Sequence, residues 1–202
     1  MKRVFGKQNG FSLLELILGA AISVIIVVIL TQFVGIISNI QKYLGSKLPT
    51  QADVEQALQT AVVEIRSVGQ SSAGAFPIET ASSTTFTFFS DIDRDGLMER
   101  VRYVISSSTL QKGVIRPVGN PLVYSTSSET ISTPIANLLG ASSSFAYYDT
   151  NYIGTGPALA YPIDVAAVRS VSITFTADMS TTTTPRPTTL STLVTIRNLK
   201  SN

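Results

Sequence analysis

From Leu16 to Gln41 the chain carries no formal charge, and Glu15 is the only charged residue between Lys7 and Lys42. This stretch constrains the fold first. Phe11 to Leu30, as a helix rising about 1.5 Å per residue, covers about 30 Å and is long enough to cross a hydrocarbon core. An ionised side chain in such a run costs roughly 2.5–3.5 kcal/mol at the helix centre, less near an end, and marks a function or a paired partner. Glu15 is the fifth residue after Gly10. An amino group created by cutting before Phe11 would supply the missing positive partner. The basic residues ahead of the run, Lys2, Arg3 and Lys7, predict a single pass with the N-terminus in the cytoplasm and the rest of the chain outside the cytoplasmic membrane.

The basic leader Met1–Gly10, the Gly10/Phe11 junction, Glu15 and the apolar run to Leu30 resemble the type IV prepilin family of pilins and pseudopilins. The resemblance implies that a prepilin peptidase cuts after Gly10 and that the new Phe11 amine is methylated. It also implies that Glu15 pairs with the Phe11 amine of a neighbouring subunit as protomers leave the membrane through an inner-membrane assembly platform. The implied partners are other pilins or pseudopilins, met through the N-terminal helix. Two plainer readings compete. A secretory signal peptide would end at a small-residue site such as Gly19-Ala20-Ala21, but that leaves Ile22 to Leu30 apolar at the new terminus. A simple signal anchor leaves Glu15 without a purpose.

Composition narrows the chemistry. Removing the three leader charges leaves 12 basic against 13 acidic residues, a balance that does not suggest a nucleic-acid surface. With no cysteine there is no disulfide in the exported part, and with no histidine the serine–histidine and cysteine–histidine nucleophile systems are excluded. The expected role is therefore structural, not enzymatic.

The pattern divides the chain into a leader at 1–10, a membrane-spanning and filament-core helix at 11–48, an amphipathic helix at 50–69 and a β-rich exported domain at 70–202. Pro49 predicts an interruption or kink, since proline removes a backbone donor and clashes with the preceding turn. Beyond it Val54, Leu58, Ala61, Val62, Ile65 and Val68 share one helical face, with Glu55, Gln59, Glu64 and Arg66 elsewhere, and Gly69 is the expected stop. Strands are predicted at Thr84–Phe89, Arg100–Ile105, Leu110–Ile115, Ser144–Tyr148, Val168–Thr176 and Leu193–Asn198. Asp149–Ala160 and the Thr-rich stretch Ser180–Thr192 read as loops. Tyr147, Tyr148, Tyr152 and Tyr161 fit core and loop-anchoring roles better than a sticky surface. The fold class is α+β: a long kinked helix, membrane-spanning in its first half, packed on an antiparallel sheet domain in the manner of a pilin.

A second constellation, Asp91-Ile92-Asp93-Arg94-Asp95-Gly96-Leu97-Met98-Glu99, lies between two predicted strands. Carboxylates at alternate positions and a glycine at the sharp turn follow the logic of calcium loops, with Asp91, Asp93, Asp95, Glu99 and the Leu97 carbonyl as expected ligands of a structural Ca2+. It is not an EF-hand, because the twelfth position is Arg102 and no helix pair flanks it. The plainer reading is a turn whose Asp side chains cap nearby amides. A glycosidase pair fits poorly, since neighbours on one turn converge instead of flanking a sugar. The chain is thus expected to be a minor pilin or pseudopilin of a type IV pilus-like, type II secretion or competence filament, extracellular once assembled. The alternative is a membrane-anchored, calcium-dependent adhesin that never enters a filament.

Overall fold

The computed structural model describes the backbone of residues 13–178 and 187–199, and the side chains of those residues except at 33–50 and 178. It is α+β: one long helix followed by two antiparallel sheets. By contact the chain divides into two units, Met1–Gly45 and Ser46–Asn202.

Helix α1, Leu13–Arg66, contributes residues to both units. In the first, Leu13–Gln32 has a mean hydropathy of 2.9 and none of it is buried; by length and composition it can span a membrane. Pro49 and its neighbours are assigned helical, so the backbone shows no break there, and the helix ends at Arg66, ahead of Gly69. The Gly69 N–H instead donates to the Phe89 carbonyl at 3.0 Å. In the second unit the apolar face of α1 is real: Val54, Ala57, Ala61 and Ile65 are buried, as is Val68 just past the helix, with Leu58 and Val62 partly covered.

Strands β1 (Ile78–Ala81), β2 (Thr85–Ser90), β3 (Glu99–Ile105), β4 (Leu110–Ile115) and β5 (Thr130–Ile135) form a five-stranded sheet in chain order, every neighbour antiparallel. β6 (Ser144–Tyr148), β7 (Ser170–Asp178) and β8 (Pro187–Thr195) form a second sheet with β7 in the centre. The sequence reading omits β1 and β5, and its loop over Ser180–Thr192 needs correcting, because Pro187–Thr192 belong to β8. All three are edge strands. One side of an edge strand needs no ladder partner, so it accepts proline and small polar residues that a central strand would not, as Pro134 and Pro187 show. At the far end, where strand is predicted to Asn198, Arg197–Leu199 instead form a 3₁₀ turn.

One core serves the second unit. Phe86, Phe88, Val101 and Tyr103 of the first sheet, Phe145, Tyr147, Val171, Ile173 and Phe175 of the second, and the buried face of α1 belong to a single apolar cluster. Phe86 sits among Phe88, Tyr147 and Phe145 with ring centroids 4.9, 5.4 and 6.1 Å away, tilted as aromatic pairs prefer. The sheets are stitched by Phe145 N–H to the Ser83 carbonyl at 2.9 Å and Tyr147 O–H to the Ser82 carbonyl at 2.9 Å.

A charged side chain of α1 lies inside this arrangement. Glu64, expected away from the apolar face, is 7 % exposed: three positions after Ala61, it flanks the buried stripe. Its carboxylate accepts a hydrogen bond from Tyr103 O–H at 2.7 Å and pairs with the Lys112 ammonium on β4. Burial, followed by the Glu64 charge, pushes the Tyr103 hydroxyl well above its ordinary range, so it remains a donor. Removing one member of a buried pair leaves an uncompensated charge, so Lys112→Met should cost about 3 kcal/mol. Adding Glu64→Gln to that variant should recover most of the loss. Denaturant titration of the full chain in detergent micelles measures both, and a double variant as unstable as the single one would contradict this role for the pair.

Candidate functional site

The connection from β2 to β3, residues 91–98, is positioned from both ends. Ser90 Oγ donates to the Glu64 carbonyl at 3.0 Å and lies 2.7 Å from Ser67 Oγ, which fixes the loop entry to the end of α1. At the exit, Met98 N–H donates to Ser72 Oγ at 2.8 Å, while Tyr124 O–H donates to the Met98 carbonyl at 2.6 Å. The same Tyr124 oxygen accepts from Ser72 N–H at 3.2 Å. Gly69 leaves room for the Met98 side chain, because a Cβ there would come 3.0 Å from Met98 Cε. Both loop ends are therefore held by elements far apart in sequence.

Within the turn, Arg94 and Gly96 take positive φ of 64° and 89°. Asp91 Oδ2 accepts from Gly96 N–H at 3.1 Å, and Asp95 Oδ1 accepts from Leu97 N–H at 2.8 Å. Asp93 Oδ2 accepts from Arg116 Nε and Nη2 at 3.2 and 3.0 Å. Glu99 Oε2 accepts from Ile92 N–H at 2.9 Å. Carboxylate oxygens of Asp91, Asp93 and Glu99 lie within 4.8 Å of one another, a donor set suited to a hard cation. Asp95, expected among the ligands, is not part of this trio and caps the turn instead. Leu97 sits at the exposed side of the same turn, its N–H committed to Asp95.

Strand register explains why Glu99 differs from the three Asp. It pairs opposite Ser90 and shares the inward face of β3 with Val101, Tyr103 and Ile105, so it is completely buried while Asp93 and Asp95 are exposed. Burial raises its carboxyl above the ordinary range; the Ile92 amide opposes this, and the Asp93 and Asp95 charges add to the rise. Glu99 Oε1 and Asp91 Oδ1 are buried without a hydrogen-bond partner. Sequence reasoning treats the four carboxylates as equivalent. The alternation Glu99, Val101, Tyr103, Ile105 was the signal that one of them points inward.

The N-terminal residues are a separate matter. Gly10 and Phe11, the expected processing positions, lie outside the described residues, and Glu15 is exposed in the first turn of α1. The tyrosines anchor loops and core: Tyr147 is buried, Tyr161 O–H donates to the Phe145 carbonyl at 2.9 Å, and the Tyr148 and Tyr152 rings lie 4.0 Å apart. Compared with known proteins, the chain matches no protein-family model and no curated protein.

Tyr124 serves the loop exit as donor and acceptor at once. Tyr124→Phe should cost about 1–2 kcal/mol, because the Met98 carbonyl and the Ser72 amide each lose their partner. Hydrogen exchange should quicken at Ser72 and stay unchanged at Val101 in the sheet centre. Equal exchange at Ser72 in both proteins would show that the loop is held by other means.

Proposed function

We propose that this chain is a structural, non-enzymatic subunit of a type IV filament-like assembly, a minor pilin or pseudopilin, inserted in the cytoplasmic membrane by Leu13–Gln32 before assembly. The observation that carries the reading is a helix stretch, exposed along its whole length and uncharged except for Glu15 near its start. A bilayer or the helices of neighbouring subunits would cover such a surface equally well, as exchange between membrane and filament requires. The Glu15 carboxylate supplies the pairing element: at bilayer depth it gains most from a positive partner, and the amine freed before Phe11 on an adjacent protomer is one. The Gly10/Phe11 junction and the basic leader support the same reading. The exported second unit then forms the filament's outer surface.

Glu15→Val removes the charge and keeps the helix apolar, so it should insert at least as well as the wild type and still be cut after Gly10. It should nevertheless be absent from the fraction sheared from cells that express the full assembly machinery. Incorporation of the variant at the wild-type level would refute the pairing role.

A further inference from the structure

The buried, unpartnered oxygens in the β2–β3 loop point to a ligand, independently of the filament reading. Glu99 has no solvent exposure, one oxygen satisfied by Ile92 N–H and the other, Oε1, facing no donor. A buried carboxylate oxygen left unpaired is costly, and native proteins satisfy such groups with a partner, a water or an ion. Asp91 Oδ1 is in the same condition, and Asp93 completes the trio within 4.8 Å.

We propose that Asp91, Asp93 and Glu99 bind one divalent cation of the calcium class, and that Arg116 is a built-in competitor for it. Coordination chemistry favours calcium. Two oxygens on one Ca2+ at about 2.3–2.6 Å can lie up to about 5 Å apart, whereas Mg2+ at about 2.0–2.1 Å limits them to about 4 Å and holds its water more firmly. The trio's oxygens lie within 4.8 Å of one another, inside calcium's reach, and an irregular set of carboxylates suits calcium's flexible shell better than the near-ideal octahedron that magnesium demands. Asp95 does not converge with the trio, and its Oδ1 caps the Leu97 N–H. The guanidinium of Arg116 from beyond β4 bonds Asp93 Oδ2, placing a positive charge on the carboxylate the ion needs. With the Arg116 side chain 67 % exposed, that ion pair is weak and readily exchanged for a doubly charged ion.

The ligand set and the competitor give distinct signatures. The probe is Ca2+ alone, followed by equilibrium dialysis into the chelator-stripped full chain in detergent micelles, with Mg2+ in parallel. One site is expected, with Kd on the order of 10⁻⁴–10⁻³ M as in extracellular calcium modules, and weaker binding of Mg2+. Glu99→Gln and Asp93→Asn should show no saturable binding up to about 10 mM Ca2+. Asp95→Asn should bind within about twofold of wild type, and Arg116→Gln should bind more tightly by up to about fivefold, the loss of one weak ion pair. Since Asp93 is exposed, its variant keeps the test valid even if Glu99→Gln fails to fold. Wild-type binding by Asp93→Asn, loss of binding in Asp95→Asn, unchanged or weaker binding in Arg116→Gln, or no calcium binding by the wild type would each overturn the proposal.

Discussion

The first constraint on the structure is an apolar helix surface that is exposed among the described residues. Between Leu13 and Leu30, thirteen large aliphatic side chains are at least half exposed. At about 1.5 kcal/mol or more for each such side chain, leaving them in water costs on the order of 20 kcal/mol. The residues Leu13–Gln32 are by length and composition suited to a non-aqueous environment, and the second unit holds together around a core of its own.

It does so by wrapping two small sheets and the C-terminal part of α1 around one aromatic-rich core. The aromatic group around Phe86 belongs to that core, and hydrogen bonds from Phe145 and Tyr147 fix one sheet to the other. Glu64 adds specificity of position. Its buried carboxylate is satisfied only when Tyr103 of β3 and Lys112 of β4 are in register, so the helix end and the first sheet have one mutual placement. The loop at 91–98 inherits that rigidity, since its entry is bonded to the Glu64 carbonyl and its exit to Ser72 and Tyr124.

Much of this was legible wherever one physical rule dominated. The uncharged run after Glu15 announced a helix long and apolar enough to cross a membrane, and the spacing from Val54 to Val68 announced the helix face that is buried. Central strands with β-branched and aromatic alternation, such as β3 and β7, were also readable. Edge strands were readable only in part: β6 was legible from its alternation, whereas β5 and the first part of β8 carry Ser and Pro that interrupt the strand signal and read as loop. Glu64 was missed because its burial depends on a lysine and a tyrosine far along the chain. The acidic loop was visible as a cluster, but its division into three converging groups and one turn cap follows from the inward register of Glu99 and from the Asp95–Leu97 bond.

Mass analysis of the N-terminus of the native protein bears most directly on the filament reading. A subunit that has passed through prepilin processing lacks residues 1–10 and begins at Phe11 with one methyl group on its amine. An N-terminus that retains Lys2 and Arg3, or one cut beyond Ala21, would contradict it and leave the apolar stretch as a plain anchor or a discarded signal.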